Sequence, residues 1–337
     1  VLLDYPYYHK LYTGKKAELP AHTQKELTKN ISKIDNPKLI KVDGYNDYVM
    51  AFLHHRANDK IKAGEYNHSC NQQLDAVFDL LPQYFSNKEC LDYWMFVYLK
   101  RHIENYGIKA ADSVINDYIT HGTNELFVNQ ISRLYADALD LRQGHRIETY
   151  KTINGTKLDI HLFLSDSSAF PSKTKPAIVY FHGGSWTEGK PDWFFRSARE
   201  YANNGWVAAA VEYRLADRHG TLPFEAVKDA KSAIRWLRAN AEKLGIAKDS
   251  IVATGNSAGG HLVLCSALNK SLNEKTDNTD ISPAPDVLLI NAGVYDLTGS
   301  EWITVKFENK DTVEAISPTH LIRKTEQPIL MIHGTLD

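Results

Sequence analysis

The residues best placed to do chemistry lie in Gly255-Asn256-Ser257-Ala258-Gly259, a G-x-S-x-G pattern that follows the apolar run Ile251-Val252-Ala253 and leads into Leu262-Val263-Leu264. This layout predicts a strand, a sharp turn and a helix, with the Ser257 hydroxyl exposed at the corner. Side chains at 255 and 259 would block the turn and the close approach of helix to strand, so both positions call for glycine. The helix aims its first N–H groups at the same spot, where they can stabilise developing negative charge. The chemistry this suits is acyl transfer through a serine nucleophile. By composition alone such a pattern arises in about one chain in ten of this length, so a second observation is needed. Upstream, Ala177-Ile178-Val179-Tyr180-Phe181 reads as another apolar strand, and it runs into His182-Gly183-Gly184-Ser185-Trp186. An H-G-G loop at that place is the other half expected of an oxyanion hole. The donors would be the backbone N–H of Ala258 and that of Gly183 or Gly184.

From about Arg146 onwards the chain resembles an α/β-hydrolase of the acetyl-esterase and hormone-sensitive-lipase-like group, which includes carboxylesterases and polysaccharide acetyl or feruloyl esterases. The stretches that carry the resemblance are F-H-G-G-S-W, V-E-Y-R-L, E-A-V-K-D-A-K-S-A-I-R-W-L, G-N-S-A-G-G-H and S-P-T-H…P-I-L-M-I-H-G-T-L-D. Asn256 departs from the pattern, since many relatives carry Asp there; it flanks the nucleophile and leaves the mechanism untouched. The resemblance implies that Ser257 is the nucleophile and that the acid and base follow it in the order Ser, Asp/Glu, His. H-G-T-L-D after a strand matches the family's acid position, which assigns Asp337; Asp296 in A-G-V-Y-D is expected to line the pocket or cap a helix. The H-G-G histidine, His182, shapes its loop in relatives and is not the base.

The remaining histidines of this half do not suit the base either. His161 belongs to an opening hairpin, His219 precedes Ser257, and His261 lies one turn along the same helix as the serine. His320 enters a strand from its amino end, and His333 stands four residues before the acid. The catalytic histidine is therefore expected beyond Asp337. The chain is expected to be truncated after the strand carrying the acid, and almost inactive as it stands.

The elements that must position these residues read as two modules. From Asn46 to about Gln143 apolar residues recur with helical period. Leu91, Trp94, Met95, Tyr98, Leu99 and Ile103 form the clearest stripe, opened by Asn87 as N-cap and stopped by Gly107. Near Gly144 the period falls to two, with alternation on both sides of Asn154-Gly155, a hairpin signature. Strands and helices then alternate, with strands ending near His182, Val211, Ser257, Asn291 and Ile332. Apolar strands of this kind make a mostly parallel sheet covered on both faces, with its site beyond the carboxyl ends of the strands. The expected architecture is an all-α module over 1–144 and an α/β-hydrolase domain, incomplete at its C-terminus, over 145–337.

The chain has 337 residues, a formal net charge of −2 and no dense Lys/Arg run, which argues against nucleic acid as a partner. No apolar run approaches the ~18 residues of a membrane span. Val1 stands where a start would have Met, so the chain is expected to begin upstream. Cys70, Cys90 and Cys265 lack metal-ligand spacing; Cys265 should be a buried apolar residue, and Cys70 and Cys90 are open to pairing or to remaining two thiols. His54, His55 and His68 read as exposed polar positions rather than a metal site, and Asp229 with Arg235 as a solvated pair. The helical module is similar to the region preceding the thioredoxin domain of some extracytoplasmic bacterial thiol oxidoreductases. It carries no C-x-x-C, so the resemblance implies no redox activity, only a periplasmic or secreted location over a cytoplasmic one.

The reading is a serine carboxylester hydrolase, without metal or cofactor, acting on small-molecule or carbohydrate esters. A peptidase of the prolyl-oligopeptidase kind and a non-catalytic binding or scaffold module are the alternatives.

Overall fold

The computed structural model describes residues 30–31, 33–42, 44–298, 313–322 and 327–334. The described residues up to Asp140, together with Asp217–Gly220, form one compact unit, and those of Leu141–Ala216 and from Thr221 onwards form the other.

The first unit is built from α1 (Tyr45–Lys62), α2 (Gln72–Tyr84), α3 (Lys88–Tyr106), α4 (Asp112–His121) and α5 (Glu125–Leu141). Several of their ends have a local cause. The Asn87 side chain accepts hydrogen bonds from the N–H groups of Glu89 and Cys90 and so caps α3, while Gly107 at φ 78° ends it. Pro82 falls in the last turn of α2, which stops two residues later. The apolar stripe of α3 is buried as its spacing requires. Trp94 packs among Val49, Phe52, Leu53, Leu81 and Phe85, and its indole N–H donates to the Tyr45 hydroxyl at 3.3 Å. Buried Asp92 of the same helix accepts from Thr123 N and Asn124 N and so fixes the start of α5. The late segment joins this unit through Arg218, whose guanidinium donates to Asn71 Oδ1 at 2.8 Å and to the carbonyl oxygens of Cys70 and Lys109. All three cysteines are free thiols, and burial pushes the Cys90 thiol up to about 12.

The second unit is a seven-stranded sheet in the order β1-β2-β4-β3-β5-β6-β7. Its strands are β1 (Arg146–Ile153), β2 (Thr156–Phe163), β3 (Lys175–Phe181), β4 (Val207–Val211), β5 (Ile246–Asn256), β6 (Val287–Asn291) and β7 (Ile329–Ile332). The β1–β2 hairpin turns at Asn154-Gly155, both with positive φ, and β2 pairs antiparallel with β4. The five strands from β4 to β7 are parallel, the mostly parallel sheet of an α/β-hydrolase. Every residue of β4 is buried, as in a strand covered on both faces. Helix α6 (Phe195–Asn203) lays Phe195, Ala198 and Ala202 on Ile178, Tyr180, Ala208 and Ala210. The alternate residues, Val179, Phe181, Ala209 and Val211, are equally buried and point the other way. Helix α8 (Ala258–Leu268) packs against β3, β5 and β6, and α7 (Pro223–Ala239) against α8 and β1.

One expectation is overturned. Asp229 and Arg235 are not a solvated pair: Asp229 is 0% exposed and Arg235 6%. Six residues apart on α7, they point in different directions and serve different partners. Asp229 accepts from Lys151 Nζ at 2.6 Å and from Arg214, through its backbone N, Nε and Nη2. Glu274 completes this group by pairing with Lys151 and Arg214 at 3.0 Å each. Burial works against the ionised form of Glu274, but these two cations prevail and its carboxyl is held below the usual range. Arg235 binds Asp277, the Asn273 side chain and the carbonyl of Ile281. Asp229→Asn would leave the buried cations Lys151 and Arg214 with Glu274 as their one anion and a neutral amide in place of the other. It should destabilise this unit by about 3–5 kcal/mol in urea denaturation; a loss under about 1 kcal/mol would mark the pair as solvated after all.

Candidate active site

Ser257 sits at the corner between β5 and α8 with φ 52° and ψ −120°, a conformation that costs a non-glycine residue of order 1–3 kcal/mol. The corner is held by its neighbours on the sheet, since Ser257 N donates to the carbonyl oxygens of Asn291 and Ala292 at 3.1 Å. The first turn of α8 lies directly on the end of β3. A Cβ on Gly259 would overlap the carbonyl oxygen of Phe181 and come within 2.7 Å of that of His182. The turn and the H-G-G loop therefore meet. A Cβ on Gly183 would stand 3.0 Å from Asn256 Nδ2, in the residue before the serine.

The loop itself is strained. Gly184, Ser185 and Trp186 have φ of 107°, 54° and 58°, and Ala292, beyond β6, has 42°. With Ser257, these unusual conformations gather at the carboxyl edge of the parallel strands. Among the described residues, nothing hydrogen-bonds to the N–H groups of Gly183, Gly184 or Ala258, or to the Ser257 hydroxyl. Ala258 is the first residue of α8, where the helix leaves N–H groups without internal partners. The Ser257 hydroxyl and three donors without partners among the described residues thus share one edge. Gly183, Gly184, Ser257 and Ala258 are brought to a common place; Asp337 lies outside the described residues.

The histidines are engaged elsewhere. His182 is buried, its ring stacked on Tyr213 at 4.3 Å and its Nδ1 2.7 Å from the carbonyl oxygen of Gly183. His161 in β2 meets His145 across 2.9 Å between ring nitrogens, and His145 also stacks on Phe163; spacing gave no signal for this pair, which joins a connection to a strand 16 residues on. His219 belongs to the first unit. His320 is exposed on the short helix Pro318–Leu321, and His333 lies against the Tyr295 ring beyond β7. His261 is fully buried in α8, donates from Nε2 to the carbonyl oxygen of Ile316 at 2.7 Å, and meets Trp186 of the loop edge-on. Tyr213 carries a contact that the sequence could have flagged, since V-E-Y-R-L stands out there as a motif without a role. Among the described residues no three His, Cys, Asp or Glu side chains could hold a metal, and no helix is long and apolar enough to cross a membrane.

Residues 158–337 match the family model described as BD-FAE. The chain belongs to the BD-FAE family. The matched region holds both motif loops. It is similar to Esterase LipC of Mycobacterium tuberculosis, 29% identical over 192 residues, half of this chain and 45% of that protein. It is also similar to the Arylesterase of Saccharolobus solfataricus, 36% identical over 113 residues, 33% of this chain and 36% of that one. The chain thus spans less than half the length of these curated relatives. Among solved structures, the apo form of Thermogutta terrifontis esterase 2 superposes with a TM-score of 0.53 at 32% identity, over 58% of this chain and 73% of that chain. The same esterase has been solved phosphorylated by paraoxon and phosphonylated by sarin.

Burial lowers the His261 imidazole to about 4, against a carbonyl bond that favours its protonated form. The unfolded chain takes up this proton near 6.5, so between those values it binds more protons than the fold. Stability is then complete above pH 6.5 and is lost as pH falls towards 4, by about 3 kcal/mol for the full interval. Denaturation midpoints of the parent should fall over this window, and those of His261→Gln should fall less. Parallel profiles would show that His261 does not titrate this way.

Proposed function

We infer that this BD-FAE protein is a serine hydrolase that cleaves carboxylic esters through an acyl-enzyme. The observation that carries the inference is the strained Ser257 corner, whose hydroxyl shares one edge of the sheet with the N–H groups of Ala258, Gly183 and Gly184, all without partners among the described residues. Ser257 Oγ attacks the ester carbonyl carbon and gives up its proton to a histidine base. The carbonyl oxygen takes the charge, held by Ala258 N–H and by that of Gly183 or Gly184. The C–O bond to the alcohol then breaks as the base returns the proton to the leaving oxygen, and water releases the acid by the same steps in reverse.

We assign the base to a histidine outside the described residues, since those described in this unit are placed for other contacts, and its orienting acid to Asp337. The esterase names of the relatives support the ester substrate. The substrates we assign are esters of small acyl groups, including acyl groups carried on polysaccharides. The resemblance of the helical unit supports an extracytoplasmic location.

The intact protein should form a fluorophosphonate adduct on Ser257 and hydrolyse chromogenic acetyl and butyryl esters. Ser257→Ala should remove the adduct and lower kcat by ~10⁶, or to the limit of detection, with the fold unchanged. Residual activity within tenfold of the parent would remove Ser257 from the mechanism. Faster turnover of proline-containing peptide anilides would make the protein a peptidase, and a parent that neither labels nor turns over would make it a binding module.

A further inference from the structure

The two peptide units that carry the proposed oxyanion donors are both held from their carbonyl ends. The unit joining His182 to Gly183 contains the His182 carbonyl and the Gly183 N–H. The Tyr213 hydroxyl donates to that carbonyl oxygen at 2.7 Å. The next unit contains the Gly183 carbonyl and the Gly184 N–H. Its oxygen lies 2.7 Å from His182 Nδ1 and 3.3 Å from the same Tyr213 hydroxyl. Both peptides are trans, so C=O and N–H point in opposite directions. The hydroxyl has one proton, which the 2.7 Å bond commits to the His182 oxygen, so the tyrosine turns the Gly183 N–H away from itself. The Gly183 oxygen is held by His182 Nδ1, which lies 3.1 Å from the same hydroxyl, and this turns the Gly184 N–H likewise.

The tyrosine is itself fixed. It is 1% exposed, stacks on the His182 ring, and stands two residues beyond the end of β4. Burial raises its phenol far above the usual range, so the hydroxyl remains a donor. The next residue, Arg214, is tied by backbone N and guanidinium to buried Asp229. Two residues further, Ala216 N donates to the Trp186 carbonyl at 2.9 Å and holds the far end of the loop.

We propose that Tyr213 is a positioning residue for ester hydrolysis, its hydroxyl setting the peptide plane that presents Gly183 N–H to the oxyanion and its ring and hydroxyl holding the His182 side chain that sets the plane of Gly184 N–H. It touches neither substrate nor Ser257, and it acts only through the loop. This rests on the serine-hydrolase reading.

The test uses the intact protein and Tyr213→Phe, which keeps the ring and its stacking and removes only the hydroxyl. Donors to an oxyanion act in the transition state, so kcat per site titrated with fluorophosphonate should fall about 10- to 100-fold. KM for a chromogenic acetyl ester should stay within about threefold, and affinity for a boronic acid, whose serine adduct is tetrahedral and anionic, should weaken in step with kcat. The melting temperature should move by less than about 4 °C. An unchanged kcat per titrated site in a parent that labels and turns over would overturn the proposal alone. A rise in KM matching the loss of kcat/KM, or a collapse of the melting temperature that accounts for the lost sites, would make Tyr213 a binding or core residue and overturn it too. A parent that does not label at Ser257 would take down the hydrolase reading and this proposal together.

Discussion

The first turn of α8 rests on the carbonyl oxygens that end β3, and only a backbone without a Cβ at 259 can come so near to Phe181 and His182. Much follows from that approach. It fixes the distance between the serine corner and the H-G-G loop, which come from strands that are neighbours in the sheet although more than 70 residues separate them in the chain. Ser257, at the join, has φ 52° and ψ −120°. The same approach also sets the start of α8 at the carboxyl ends of the strands, the edge at which a parallel sheet places its ligands. The positive φ angles at Ser185, Trp186, Ser257 and Ala292 are the local expense of this arrangement, offset by the buried sheet beneath.

A second tie runs beneath the first. Lys151 of β1, Arg214 after β4, Asp229 of α7 and Glu274 after α8 form one buried group of two cations and two anions. Charges taken out of water must keep their partners, which restricts where each element can go. Because Arg214 is bound through its backbone N as well as its guanidinium, the restriction reaches the main chain that carries Tyr213. A network with no chemistry of its own thereby fixes the residue that faces the H-G-G loop.

How much of this the sequence disclosed depended on the range of the interaction. The two motif loops, the strand-to-helix corner, the Asn87 cap, the Asn154-Gly155 turn and the helical stripe of α3 are local, with patterns set by period, cap or backbone sterics. The sheet type followed from strands that are apolar on both faces. What was not legible joins distant residues. Asp229 and Arg235 share a helix, but their partners lie up to 78 residues away, and nothing in their spacing announces that both are buried. The four residues Asp217–Gly220 fold with the helical unit although they follow β4, a tie made by Arg218 to Asn71 and invisible to any period. The His145–His161 pair was missed for the same reason.

The most direct test of the account is a crystal structure of the intact protein after reaction with paraoxon. The account predicts one phosphoryl group on Ser257 Oγ, with its non-bridging oxygen ~2.7–3.1 Å from Ala258 N and from the N of Gly183 or Gly184. Phosphorylation of another residue, or a phosphoryl oxygen turned to solvent away from those three N–H groups, would contradict it.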